Sequence, residues 1–145
     1  MRIVVQRVEK GSVIINKKKH AFINHGLLCF VGFCDSDTTI DFEWAVNKLI
    51  KLKLFNNQLS LEDVKGELLI ISQFTLYASI KKGTKPSWSR AANPNLAKIL
   101  YNDFINLCEK KIPDYIQTGI FGSDMKIKSV NDGPVTLILD TKRKE

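Results

Sequence analysis

The sequence predicts an α+β fold: a curved mixed sheet or partial β-barrel with two main helices packed outside it. Three observations predict this. Short apolar runs of strand character cluster at both ends of the chain, and only two stretches carry a helical period. The 145 residues are the length of one domain spanning 1–145, enough for folding to bury roughly 70% of the unfolded chain's surface around one core.

The elements follow in order. Ile3-Val4-Val5-Gln6-Arg7-Val8 reads as a strand running to Gly11, and Val13-Ile14-Ile15 as a second. Asn16 to Lys19 is turn-like, Ala21-Phe22-Ile23 is a third strand, and Asn24-His25-Gly26 breaks it. Leu27 to Cys34 is almost continuously apolar, as a strand buried on both faces would be. A helix starts near Thr38, with Asp37, Thr38 and Thr39 as candidate N-caps, and puts Phe42, Ala45, Val46, Leu49 and Ile50 on one face. Lys51-Leu52-Lys53-Leu54 alternates and predicts a short strand, closed by a turn at Asn56-Asn57-Gln58. Strand character returns over Glu67–Ser79. A polar loop spans Ile80 to Arg90, and Asn93-Pro94 caps a second helix carrying Leu96, Leu100, Phe104, Leu107 and Cys108. Gly119-Ile120-Phe121-Gly122 is a turn before the last strands, which brings the count to roughly seven.

Composition excludes several classes. No run reaches the ~18 uncharged apolar residues of a membrane span, and charges interrupt the apolar N-terminus, which reads as a strand and not as an export signal; the cytoplasm is the expected compartment. Cys29, Cys34 and Cys108 form no C-x-x-C pair and are expected as buried thiols. His20 and His25 lack partners at ligand spacing and read as surface or turn residues. No metal and no cofactor is expected. The formal charge of +7 suits an anionic partner, or simply solubility.

Chemistry could sit in three places. Ser72-Gln73-Phe74-Thr75 ends a strand, and the hydroxyls of Ser72 and Thr75 are candidate nucleophiles. Nothing nearby supplies a base, so satisfying backbone groups is the favoured role. Lys81, Lys82, Lys85 and Arg90, with Trp88, form either a nucleic-acid-binding loop or a solvated one. Asn131-Asp132-Gly133-Pro134-Val135-Thr136 lies between apolar runs. It reads as a hairpin turn or as a rigid wedge presenting backbone carbonyls to a ligand, since Pro134 restricts both itself and Gly133.

Gln6-Arg7-Val8, Ser72-Gln73-Phe74-Thr75-Leu76-Tyr77-Ala78, Lys85-Pro86-Ser87, Thr118 to Met125, and Val130 to Thr136 occur in this order over nearly the whole chain. Together they resemble the D-aminoacyl-tRNA deacylases of the bacterial and eukaryotic type. The resemblance implies a homodimer with a cross-subunit active site that removes D-amino acids from mischarged tRNA. It implies a cis Gly133-Pro134 pair acting as a chiral filter in the partner's site, and an Arg7 that helps fix that pair. Ser72, Gln73, Phe74 and Thr75 would line the pocket for the aminoacyl-adenosine end, and Phe121 and Met125 match its other residues. Two positions depart from the family. Asn56 to Leu61 is shorter and lacks a Met-Asn-x-Ser pattern, and Trp88 stands where phenylalanine is common.

The reaction implied is hydrolysis of the ester between a D-amino acid and the terminal ribose, with glycyl-tRNA as a second substrate because glycine has no side chain to exclude. An activated ester needs positioned water and oxyanion stabilisation more than a strong nucleophile. The rival readings are a related deacylase with a trans Gly-Pro pair and altered chirality tolerance, and a non-catalytic RNA-binding module.

Overall fold

The computed structural model describes residues 1–144, apart from the side chain of Pro134. One mixed sheet of six strands spans them: β1 (Arg2–Ile15), β2 (Lys18–Ile23), β3 (Gly26–Gly32), β4 (Glu67–Ser72), β5 (Ile116–Thr118) and β6 (Lys126–Asp140). The helices α1 (Thr39–Lys51) and α2 (Pro94–Lys111) pack on one face of the sheet. The expected α+β class with a curved sheet and outer helices is what the chain adopts.

β1 organises the sheet. Along one edge it pairs antiparallel with β3 over Arg2–Val8 and with β2 over Gly11–Ile15; along the other it pairs with β6. β3, β4 and β5 run parallel to one another. The sheet curls until β2 meets β4 and β5. Its two faces therefore bury two apolar clusters. Leu27, Cys29, Val31, Leu68 and Ile70 face the helices, while Leu28, Leu69 and Ile71 face Val8, Val13, Ala21 and Ile23 inside the curl. That double burial is why β3 and β4 read as unbroken apolar runs.

Both helices are set by their caps and apolar stripes. The Asp41 carboxylate accepts the Thr38 backbone N–H at 2.9 Å, closing the start of α1, and Phe42, Ala45, Val46, Leu49 and Ile50 are buried as their spacing requires. Burial would raise the Asp41 carboxyl, but hydrogen bonds from Lys142, Thr141 and Thr38 outweigh it and hold it below its ordinary range. In α2 the Asn93 side chain accepts the Leu96 N–H at 3.0 Å with Pro94 in the first turn.

Several local expectations are overturned. Residues 2–15 form one strand and not two: Gly11 is buried in mid-strand, opposite both Ile23 and Ser129, and pairing on two edges overrides its local turn character. Lys51 to Leu54 is not a strand. The Leu52 N–H closes α1 on the Lys48 carbonyl, and Leu52 and Leu54 are half-buried against the core without a partner strand, so the alternation records burial and not pairing. The strand read over Glu67–Ser79 ends at Ser72 and turns into a 3₁₀ helix over Phe74–Tyr77. The thiols of Cys29 and Cys108 are buried, but Cys34 is half-exposed and its thiol donates to Asp37 at 3.3 Å. Residues 131–136 are no hairpin turn between two strands: β6 continues on both sides of them along the same partner, β1.

Candidate active site

A cavity of about 590 Å³ opens where the ends of β3 and β4, the start of α2 and the segment before β6 converge. That is an ordinary volume for a small-molecule site. Ser72, Gln73 and Phe74 form one wall; Phe121 and Met125 form the opposite one; Trp88 stands at the rim. Thr75 does not line the cavity. It sits one residue further along the 3₁₀ turn, where its hydroxyl accepts a hydrogen bond from the Gln73 side-chain amide.

Each wall has a local cause. The Gln73 N–H bonds the Val31 carbonyl at 2.7 Å, which prolongs the β3–β4 pairing by one residue before the chain turns. Phe74 and Thr75 then open a 3₁₀ helix, so their backbone N–H groups have no acceptor within it. On the other side Gly119 donates to the Ile70 carbonyl at 3.1 Å, and a Cβ there would strike the Met125 sulfur, so glycine leaves room for the Met125 side chain as it lies. Phe121 leans on Tyr101 of α2 with ring centres 5.8 Å apart, and the Tyr101 hydroxyl donates to the Ile70 carbonyl at 2.9 Å. Trp88 meets Phe74 edge to face at 5.3 Å.

The basic loop is pinned at its base by paired Ser79–Ser87 backbone bonds of 2.8 and 2.9 Å, and Lys81, Lys82 and Lys85 are exposed above it. Arg90 differs from them, because its guanidinium donates to the Ala78 carbonyl at 2.7 Å and so holds the loop.

Gly133 and Arg7 lie outside the cavity, on a second feature. Opposite β6, β1 advances from Gln6 to Val8 while β6 passes from Thr136 to Asn131, so Asp132 to Val135 leave the ladder as a wide bulge. The buried Arg7 clasps its base. Nε donates to the Asp132 carbonyl at 3.0 Å and pairs with its carboxylate at 3.1 Å, while Nη1 donates to the Leu54 carbonyl. Gly133 is exposed at the tip, and a Cβ there would run into the backbone nitrogen of Val135. The expectation for the Pro134 ring and its peptide falls outside the described residues.

Among the described residues no activated side-chain nucleophile emerges. Burial, with Glu109 adding to it, pushes the Cys108 thiol up to about 12, and burial raises Cys29 as well. Among the described residues no group of three His, Cys, Asp or Glu could hold a metal ion, and no helix is long and apolar enough to cross a membrane. Sequence reasoning missed Gly32, Phe33, Asn93, Pro94 and Asp124 in the cavity lining. The end of an apolar strand and a helix start carry no local signal of a shared pocket.

Comparison with known proteins places this architecture. A family model described as D-Tyr-tRNA(Tyr) deacylase matches residues 4–140. Curated proteins named D-aminoacyl-tRNA deacylase are similar along their full length: one from Flavobacterium johnsoniae is 45% identical and one from Cytophaga hutchinsonii 46%, each covering 100% of both chains. A third, from Clostridium acetobutylicum, is 43% identical over 99% of each. Among solved structures, one titled c-Myc DNA Unwinding Element Binding Protein superposes with a TM-score of 0.91 at 34% identity, over 97% of this chain and 98% of that one. One titled as a probable eukaryotic D-amino acid tRNA deacylase shares the fold, with a TM-score of 0.82 at 19% identity over 95% of this chain and 97% of that one. With its strand-end turn, its cavity and its clasped bulge, the chain belongs to the D-Tyr-tRNA(Tyr) deacylase family.

Proposed function

We propose that this protein hydrolyses the ester bond of D-aminoacyl-tRNA, and of glycyl-tRNA, releasing the free amino acid and tRNA. The observation that carries the reading is the Gln73–Thr75 turn: the Phe74 backbone N–H, without an intrahelical acceptor, stands on the wall of an apolar cavity that holds no base-activated nucleophile among the described residues. Water attacks the ester carbonyl, and the Phe74 N–H stabilises the oxyanion of the tetrahedral intermediate. The ester C–O bond then breaks and the ribose oxygen takes a proton. The neighbouring ribose hydroxyl is well placed to help activate the water. Ser72, Gln73 and Phe74 hold the reacting end, and Phe121 and Met125 pack against the aminoacyl-adenosine moiety.

Chirality is read by exclusion. Two copies associate so that the Gly133–Pro134 bulge of one enters the cavity of the other, setting backbone carbonyls beside the chiral carbon and leaving no room for an L side chain. Support comes from the outward bulge, from its Arg7 clasp, and from the exposed Val130, Leu137 and Ile138 flanking it on β6. Hydrolysis of D-Tyr-tRNA and L-Tyr-tRNA, followed with purified dimer, tests the reading. Equal rates would favour altered chirality tolerance, and no hydrolysis would leave an RNA-binding module.

Two further results are expected. Thr75→Ala should retain single-turnover activity within about tenfold, because the hydroxyl only accepts from Gln73 and no base reaches it; a loss beyond ~10³-fold with intact folding would reveal a direct chemical role. Exchanging Lys81, Lys82 and Lys85 for glutamine should make tRNA binding less salt-dependent, by up to ~0.9 in logarithmic slope per lost phosphate contact. An unchanged slope removes the loop from the interface. Arg90 is left out of this variant because it holds the loop.

A further inference from the structure

Two aromatic rings stand half-exposed at the mouth of the cavity. Phe74 is 54% exposed and Trp88 44%, and they meet edge to face with centres 5.3 Å apart and planes inclined at 72°. Stacked rings would hide one face of each. An edge-to-face pair covers a single face, so one ring keeps both faces clear of the other. Large apolar groups left open side by side on the rim of a cavity, with polar residues around them, mark a contact surface.

The backbone beneath Trp88 is fixed although its ring is open. Ser87, directly before it, is bonded both ways to Ser79. The Trp88 carbonyl accepts the Ala91 N–H at 3.0 Å, and Ala92 donates to the Phe33 carbonyl at 2.9 Å, which ties the segment to the chain leaving β3. Arg90 holds it from the other side through the Ala78 carbonyl at 2.7 Å. Phe74 is placed in turn by the 3₁₀ helix that it opens. A flat group that stacks on this pair therefore has little else to order.

Size and charge say what that group is. A cavity of about 590 Å³ suits one molecule of the size of an aminoacyl-nucleoside. In the reading above that moiety packs on Phe121 and Met125, the opposite wall, which leaves the Phe74–Trp88 pair unused. The RNA chain continues from the 5′ oxygen of this nucleoside and has to leave over the rim. Lys81, Lys82 and Lys85 are exposed on the loop that ends at Trp88. Rings for bases beside cations for phosphates are the two parts of a single-strand binding surface. A second copy of the chain is the less favoured occupant, because β6 with its exposed Val130, Leu137 and Ile138 departs from the Met125 wall, across the cavity from Phe74.

We propose that the Phe74–Trp88 pair is a stacking subsite for the penultimate base of the RNA whose terminal nucleoside occupies the cavity, with Trp88 as the platform. The proposal rests on the reading of the cavity as a site for the aminoacylated end of an RNA. The contact is with the flat face of the base and not with its edges, so it tolerates any base. It makes a dinucleotide ester, and not a nucleoside ester, the smallest substrate that the site recognises in full.

The test is titration calorimetry on the full chain, wild type beside Trp88→Ala and Trp88→Phe. The ligands carry D-tyrosine through a hydrolysis-resistant amide on the 3′ carbon of adenosine: the nucleoside alone, the nucleoside preceded by a cytidine phosphate, and the nucleoside preceded by an abasic ribose phosphate. The readout is the ratio of dinucleotide to nucleoside affinity, in which any effect of the rim on the nucleoside itself cancels. Wild type should bind the dinucleotide about 5- to 100-fold more tightly than the nucleoside, and the abasic compound no better than the nucleoside. Trp88→Ala should bring the ratio close to one, and Trp88→Phe should keep most of it. A wild-type ratio in Trp88→Ala overturns the proposal. So does an abasic compound that binds like the dinucleotide, which would make the contact one of phosphate alone. A changed state of association in Trp88→Ala also overturns it, by placing the ring against a second copy. Wild-type protein that shows the full ratio but never hydrolyses the corresponding esters would refute the catalytic reading and leave the stacking subsite standing.

Discussion

Arg7→Met is expected to erode the preference for D over L substrates by tenfold or more, about 1.4 kcal/mol of discrimination, and to destabilise the fold by about 2–4 kcal/mol. The bulge from Asp132 to Val135 has left the β1–β6 ladder, so it lacks the backbone bonds that hold the rest of β6. Arg7 replaces them. One guanidinium edge takes the carbonyl and carboxylate of Asp132, and the other takes the Leu54 carbonyl, which also ties the bulge to the chain leaving α1. Methionine keeps the packing volume but leaves those acceptors unpaired. In the proposed cross-subunit arrangement, a Gly133 that shifts no longer excludes the L side chain, while the Gln73–Thr75 turn is untouched. Arg7→Lys should fall between the two, since an ammonium cannot bridge both acceptors in one plane. The measurement is the ratio of kcat/KM for D- and L-aminoacyl-tRNA, with denaturant unfolding of each variant beside it. A lower stability with an unchanged ratio would make the bulge a purely structural feature.

Phe104→Ala should produce the largest loss of stability, about 3–5 kcal/mol. The ring is fully buried at the centre of the larger cluster, with edge-to-face contacts to Phe42 at 5.9 Å and Phe33 at 6.3 Å. The cavity left behind is bounded by β3 and by both helices, none of which can move in without breaking the sheet or their caps. Phe33 also lines the functional cavity, so loosening it should weaken substrate binding as well as the fold. The denaturation midpoint should fall at nearly constant slope. A loss below ~1.5 kcal/mol would mean that the aromatic cluster closes over the gap.

Local periodicity and chemistry made much of the chain legible. The apolar stripe of α1, the Asn93-Pro94 start of α2 and the doubly buried β3 all follow from residues within a few positions of one another. The ordered motifs around Ser72–Ala78 and Val130–Thr136 identified the family because they extend over nearly the whole chain. The sequence by itself therefore determined the class of fold, the family and the candidate residues.

Only the tertiary structure decided how those residues are grouped. Gly11 looked like the end of a strand, yet two-sided pairing carries β1 through it; many ladder bonds outweigh one residue's turn preference. Residues 131–136 looked like a hairpin, yet β1 offers β6 a continuous partner on both sides, so the excess residues become a bulge held by an arginine over 120 positions away. The cavity joins Val31, Ser72, Asn93 and Met125, and the bulge joins Asp132 to Arg7. Neither is visible in a window of sequence, because strand register, a property of paired chains, sets which side chains share a face.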